Sequence, residues 1–364
     1  MTEFATTKLS DFDYLLDPAL IATKPLAERE QSRLLVYDRK RQTIDHRHFS
    51  DLPEYLNPSD LLVLNDSRVF PARLRGRKET GGKVELLLLR PLGVNSKFSK
   101  KSGDCWEVLS KGLNLLPAKL FFPDGVCGTL RRNQSGEGKV LELDLSKTSF
   151  RDFFSFLQTW GEVPLPPYIL KQRHKEDRME PADAIRYQTV YASEWGSAAA
   201  PTAGLHFSPE LIQKIRRKRV QTETLTLHIG LDTFQPIRSD DILNHQMHRE
   251  YYKIPKATAV LANKTRKNNG KVVAVGTSVT RAIESAYFTD GLIQETEGET
   301  DLYITLGYQF KVVDSLITNF HLPKSTLLVL VAAFAGKRVI DRIYQEAIEH
   351  RYRFYSYGDS MLIL

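Results

Sequence analysis

The sequence predicts an α/β protein: a three-layer α/β/α domain interrupted by an inserted antiparallel β-barrel domain. Three observations predict it. From Pro209 onward, apolar strands alternate with amphipathic segments, as in "SPELIQKIRRKRV", "TLTLHIG", "ATAVLANKTRKNNG" and "KVVAVG", the pattern of a largely parallel or mixed sheet with helices on both faces. Between about Val69 and Leu145 that pattern gives way to short alternating runs divided by Gly-Gly, Pro-Asp-Gly and Ser-Gly-Glu-Gly turns, as in a small barrel of roughly five to seven strands. The α/β character then returns, so residues 1–68 and 151–364 read as one discontinuous catalytic domain and residues 69–150 as the insertion.

The elements follow in order. "SDFDYLLDPALIA" opens as a short helix or turn, with Ser10 or Asp11 as its cap and Pro18 breaking it. "RLLVYDR" and "DLLVLNDS" are apolar strands with polar ends. "RLRGRKETGGKVELLLLR", "CWEVLS", "AKLFFPDGVCGTLRR" and "GKVLELDLS" supply the barrel, and "VNSKFSKKSGD" is a polar loop within it. Pro164, Pro166 and Pro167 force an extended crossing, and "KQRHKEDRMEPADAIRYQTVYA" is charged and partly exposed. Ser208 caps a helix with Pro209 at its first position. "TSVTRAIESAYF" is a helix, "TDLYITL" and "KVVDSLITNF" are strands, and "KSTLLVLVAAFAG" and "RVIDRIYQEAIEHRY" are helices, the first with Pro323 at or near its start.

Hydrophobic content of 41% and charged content of 26% over 364 residues belong to a soluble globular chain. The 51 Lys+Arg against 44 Asp+Glu leave +7, the right sign for a polyanionic partner such as nucleic acid. Cys105 and Cys127 lack CxxC spacing, which argues against a disulfide framework or a Cys-based zinc site. Acidic residues at the N-terminus do not fit a signal peptide, and the longest apolar run falls well short of the ~20 residues of a membrane span. A cytoplasmic protein with no membrane association is expected.

Polar residues gather at presumed strand ends in "APTAGLHF" (200–207), "TLHIGLDTF" (226–234), "NHQMHREYY" (244–252), "AVGTSVTRAIES" (274–285) and "TNFHLPKST" (318–326). In a parallel sheet such ends line one edge and can converge on a ligand. His206, His228, His248 and His321, with Asp232 as a carboxylate partner, are the candidates for proton transfer. The competing reading of each is a core histidine or a capping acid. Gly276 lets backbone approach a ligand, while Thr277 and Ser278 open a helix whose N-terminus favours an anion, with Arg281 one turn on. Asp301, Glu284 and Asn319 are further candidates for holding a ligand. His245 and His248 would share one helical face, but neither HExxH nor a Cys partner accompanies them, so no metal is expected. No GxGxxG, GxxxxGK[ST] or GxSxG occurs, which argues against a dinucleotide enzyme, an NTPase and a serine hydrolase. The basic runs "RLRGRK" (Arg73, Arg75, Arg77) and "KIRRKR" (Lys214, Arg216, Arg217), with Lys324, are candidates for phosphate contacts; the alternative is a solvated face.

Taken together, "KPLAEREQSRLLVYDR", "LNDSRVFPARLRGR", "RYQTVYA", "AAPTAGLHF", "TLHIGLDTFQPI", "HQMHREYY", "VVAVGTSVTRAIES", "LITNFHLPKSTLLVLVAAFAG" and "RYRFYSYGDSMLI" resemble the S-adenosylmethionine:tRNA ribosyltransferase-isomerases of the queuosine pathway, over nearly the whole chain. The resemblance implies an enzyme acting on tRNA whose wobble guanine is replaced by an aminomethyl-deazaguanine. S-adenosylmethionine would be the co-substrate: its ribosyl part is transferred to the amine and isomerised, giving epoxyqueuosine while adenine and methionine leave. On this resemblance the methionine carboxylate is expected near Thr277 and Ser278, assisted by Arg281. The chain departs from the family at "GTSVTR", where a second Thr usually precedes Ser, and at Leu306, where Pro is usual; residues 91–135 match least. A monomer is compatible with this reading, and the alternative to it is a non-catalytic RNA-binding protein.

Overall fold

Leu61–Asn65 shows how the chain builds its main sheet. The strand is buried throughout: Leu61 and Val63 join the hydrophobic cluster on one face, Leu62 and Leu64 the cluster on the other. Each such side chain removed from water contributes roughly 1.5–3 kcal/mol, so a continuous apolar run is what a strand covered on both sides requires. Val272–Val275 divides in the same way. The computed structural model describes residues 7–92, 105–111, 113, 115–133, 138–173, 180–230, 237–288 and 290–364.

The sheet has nine strands, in the order Thr296–Thr300, Glu250–Ile254, Gln221–Leu227, Leu61–Asn65, Val272–Val275, Ser315–Asn319, Ser360–Ile363, Arg33–Asp38 and Thr43–His48. The four strands from Gln221–Leu227 to Ser315–Asn319 are parallel, so their C-terminal ends share one edge. Helices Lys256–Lys267, Thr277–Ser285, Thr326–Ala335 and Lys337–Glu349 cover one face; helix Pro209–Arg217 and the 3-10 turn Phe49–Tyr55 cover the other. Ser208 caps its helix as expected, its hydroxyl accepting from the Leu211 amide, with Pro209 at the first position.

Six antiparallel strands between Arg73 and Asp144 close the barrel, in the order Lys139–Asp144, Cys105–Lys111, Lys83–Pro91, Arg73–Lys78, Ala118–Phe121 and Cys127–Arg132. Its core takes in Trp106, Phe70 and Leu130, and also Phe153, Phe156 and Leu157 from helix Phe153–Trp160. That helix starts at a capping box, Asp152 accepting from the Ser155 amide at 2.7 Å. The chain enters the barrel through Ser67–Val69, which pairs in parallel with Glu194–Ser197 beside the strand ends of the main sheet.

Three local expectations need correcting. "TDLYITL" is not a strand: the ladder ends at Thr300, opposite Glu250, because the partner strand begins there. Leu302 and Ile304 still pack into the core from irregular backbone. The opening segment forms 3-10 turns, Leu9–Phe12 and Pro18–Leu20, and Lys8 rather than Ser10 or Asp11 stands at the first cap position. The third is the start of the helix after "TNFHLPKST". Pro323 and Lys324 form a turn in which Lys324 has φ +56°, and the helix begins at Thr326 with Ser325 as its cap. No helix among the described residues is long and apolar enough to cross a membrane.

Candidate active site

Asn65 ends its strand wholly buried and ties three neighbours together. Its side-chain amide donates to the Leu227 carbonyl at 3.0 Å and to Ser278 Oγ at 3.1 Å, while its Oδ1 accepts from the Ser67 and Leu227 amides. Ser67, two residues on, places its hydroxyl 2.7 Å from His228 Nδ1. The imidazole stacks on Tyr251 at 5.3 Å and lies against Gly196. A Cβ at Gly196 would come within 2.4 Å of His228 Nε2, so only glycine leaves room for the ring. Burial pushes His228 down to about 4, which makes it a neutral imidazole at physiological pH. Asp66, between Asn65 and Ser67, is moved the opposite way: desolvation raises its carboxyl although Thr226 donates to it at 2.7 Å.

His206 stands further along the same edge, at the end of the 3-10 turn Thr202–His206. Its Nδ1 lies 2.8 Å from Ser32 Oγ and its Nε2 3.2 Å from Asn319 Nδ2. The Asn319 amide nitrogen is fixed by the carbonyls of Tyr355 and Asp359, so it donates to Nε2, and the His206 proton sits on Nδ1. Burial first, then the charges of Arg29 and Arg353, push His206 down to about 3. Both ring nitrogens are thus engaged by the protein, and Asn319 Oδ1 is left as a buried acceptor with no partner.

His321 turns its ring to the other face of the sheet from His206 and Asn319. Thr318 and Asn319 point to opposite faces of their strand, and His321 lies on the Thr318 side, Nε2 at 2.8 Å from Thr318 Oγ1. Its amide donates to the Tyr344 hydroxyl, and Tyr14 donates to its carbonyl. Burial holds it at about 3, so it is neutral, as a positive helix end would also favour, but burial is the cause. Lys324 turns away to pair with Asp13 at 2.7 Å.

Gly276 has φ +98° and Thr277 and Ser278 are buried at the helix start, and two nitrogens of Arg281 are engaged within the protein. Its Nη1 forms a buried ion pair with Glu250 and its Nε donates to the Leu302 carbonyl at 2.9 Å. Glu284 is equally committed, accepting from the Tyr308 hydroxyl and the Lys311, Val312 and Val313 amides. Asp301 is exposed and pairs loosely with Arg249 at 3.6 Å. His245 and His248 lie in irregular backbone rather than on a helix, with His248 exposed. Asp232 and His174 lie outside the described residues.

The basic runs separate from the edge. Lys214, Arg216 and Arg217 are exposed on helix Pro209–Arg217, which runs back from His206 to the start of the strand at Gln221, level with Leu61. They therefore sit at the opposite edge of the sheet. Arg73 is buried at the barrel neck, Arg75 lies 3.3 Å from Glu162, and Arg77 is exposed beside the Gly81 carbonyl. Among the described residues, His46 on the edge strand Thr43–His48 and Glu346 and His350 at the end of helix Lys337–Glu349 bring three possible ligand atoms within 4.8 Å of one another.

Asn65, Asp66, Ser67, Ser32 and Tyr251 were not singled out from the sequence. "LVLNDS" carried the signal, a buried strand closing on three polar residues, the same signature as the segments that were singled out.

The three neutral histidines set a pH dependence. Each has a folded-state value below the ordinary 6.5, so the unfolded chain takes up protons first as the pH falls. Their contribution to stability is whole above pH ~6.5 and is lost as the pH falls toward ~3–4, at about 2 kcal/mol each between pH 7 and 5. The unfolding free energy from urea titration should fall by about 2 kcal/mol less between pH 7 and 5 in His321→Gln than in the parent; equal falls would refute the assignment for His321.

A family model described as queuosine biosynthesis protein matches residues 9–363. The chain is similar to the S-adenosylmethionine:tRNA ribosyltransferase-isomerase of Symbiobacterium thermophilum, 47% identical over 361 residues, covering 98% of this chain and 100% of the relative. That of Natranaerobius thermophilus is 47% identical over 363 residues, covering 98% and 99%. A crystal structure described as S-adenosylmethionine tRNA ribosyltransferase from Thermotoga maritima is 35% identical, covers 97% of this chain and 100% of its own, and has a TM-score of 0.54.

Proposed function

The chain belongs to the queuosine biosynthesis protein family, and from that premise we propose that it is an S-adenosylmethionine:tRNA ribosyltransferase-isomerase. It transfers the ribosyl part of S-adenosylmethionine to the aminomethyl group of 7-aminomethyl-7-deazaguanine at the tRNA wobble position and isomerises it. Epoxyqueuosine-tRNA forms, and adenine and methionine leave. S-adenosylmethionine is the co-substrate, tRNA is the partner, and the reaction takes place in the cytoplasm.

The chemistry makes two demands on the protein. The sulfonium acidifies the neighbouring ribose carbon, so a neutral acceptor must lie within reach of that C–H bond. Adenine leaves more readily when a proton or hydrogen bond meets the nitrogen that gains electron density. His228 suits the first demand: Ser67 anchors Nδ1, and among the described residues Nε2 makes no hydrogen bond, lying against Gly196. Asp66 suits the second, since burial raises its carboxyl as it lowers His228, so at adjoining strand ends each group is moved toward its neutral form. The observation that carries the reading is this anchored, neutral imidazole at the C-terminal edge of a parallel sheet.

The test is direct. Purified protein incubated with ribose-labelled S-adenosylmethionine and precursor tRNA should release adenine in step with label entering the tRNA. Binding of tRNA without adenine release would instead favour the non-catalytic RNA-binding alternative.

A further inference from the structure

Three arginines, Arg29, Arg186 and Arg353, surround a crevice of about 20 Å³ beside His206, with Ser32, Ser356 and Tyr357 also in its wall. Each guanidinium bonds only to main-chain carbonyls. Arg29 donates to Leu205 and Ile185, Arg186 to Leu26 and Ala27, and Arg353 to Lys24. None forms an ion pair with a carboxylate among the described residues, and two donors, Arg186 Nε and Arg353 Nη1, are buried without a partner. Asp359 is the acid beside Arg353, but its two oxygens accept from the backbone amides of Arg33 and Arg353. Lys24, at the rim, is already paired with Glu180.

Two arginines elsewhere are matched directly with acids. Arg173, close by, holds Asp183 with two bonds of 2.6 and 3.0 Å, and Arg281 holds Glu250. Keeping three cations together, with donors unsatisfied, is costly unless an anion completes the set. Resting on the activity proposed above, we infer that this crevice is an oxyanion site, taking one oxygen of a phosphate or carboxylate between Arg186 and Arg353. The volume fits: it holds one water-sized group, so a single oxygen enters while the remainder of the anion stays at the mouth. Guanidinium forks match the planar edge of either anion. The substrates offer two sources, a phosphate of the tRNA backbone and the methionine carboxylate of S-adenosylmethionine.

Arg186→Gln and Arg353→Gln in the full chain test the site against two probes: S-adenosylmethionine by calorimetry, and precursor tRNA by filter binding over ~50–200 mM salt. The expected result is a loss of roughly tenfold or more in affinity for one probe, with the other retained. If tRNA weakens and its salt slope becomes shallower by about one, the oxyanion is a backbone phosphate. If S-adenosylmethionine weakens and the slope is kept, it is the carboxylate. Parental affinity for both probes overturns the site. Should Arg353→Gln fail to fold, Arg186→Gln decides alone, because its guanidinium holds only the loop carbonyls of Leu26 and Ala27. The readout is affinity, so a parent protein that binds both probes yet releases no adenine would overturn the proposed activity and leave this site standing.

Discussion

Replacing Arg281 by Met lowers the stability of the fold by roughly 3–5 kcal/mol, the cost of stranding a buried charge. Arg281 is 4% exposed on helix Thr277–Ser285, and its partner Glu250 is 7% exposed on the neighbouring strand. Without the guanidinium, Glu250 loses its buried pairing with Arg281, and the Leu302 carbonyl loses its donor. The measurement is the urea midpoint at pH 7, followed by the Arg281→Met/Glu250→Gln double variant, which removes the stranded charge and should recover much of the loss. The sequence alone suggested the reverse balance, an arginine free to meet the methionine carboxylate. That role would have to use Nη2, the donor of Arg281 left without a partner. A parental midpoint together with lost S-adenosylmethionine affinity would restore it.

Local chemistry was legible in the sequence, and pairings across the sheet were not. Ser208-Pro209 announces a helix start because a hydroxyl cap and a proline are needed only there. The continuous apolar runs at Leu61 and Val272 announce strands covered on both faces, and the Gly-rich turns announce the barrel. Strand order is another matter. Ser32 meets His206 across 174 positions, and Ser67 meets His228 across 161. Such contacts depend on which strands adjoin and in what register, and no local pattern encodes that. His321 shows the same limit on a smaller scale: whether it shares a face with Asn319 or with Thr318 depends on how the chain leaves the pleat at Phe320. The basic run at Lys214 looked close to His206 because only a few residues separate them, yet a helix of nine residues at ~1.5 Å per residue carries it to the other edge.

His228→Gln is expected to lower turnover by at least ~10²-fold while leaving the fold and tRNA affinity intact. Glutamine can keep a hydrogen bond to Ser67 but cannot accept and hold a proton, so the substitution separates geometry from basicity. The loss should appear in kcat more than in KM, since a proton acceptor acts in the transition state rather than in binding. Ser67→Ala gives the companion result. Among the described residues its hydroxyl bonds only the imidazole, so its removal frees the ring to turn and leaves Nδ1 without its anchor. A smaller fall in kcat is expected, with a pH profile shifted because Nδ1 has lost its partner; a purely structural serine would change the melting temperature and leave the profile unmoved. In the parent, His228 sits near 4, so this residue imposes no acid limb on kcat/KM above pH ~5. Near-parental turnover in a folded His228→Gln protein would remove His228 from the chemistry.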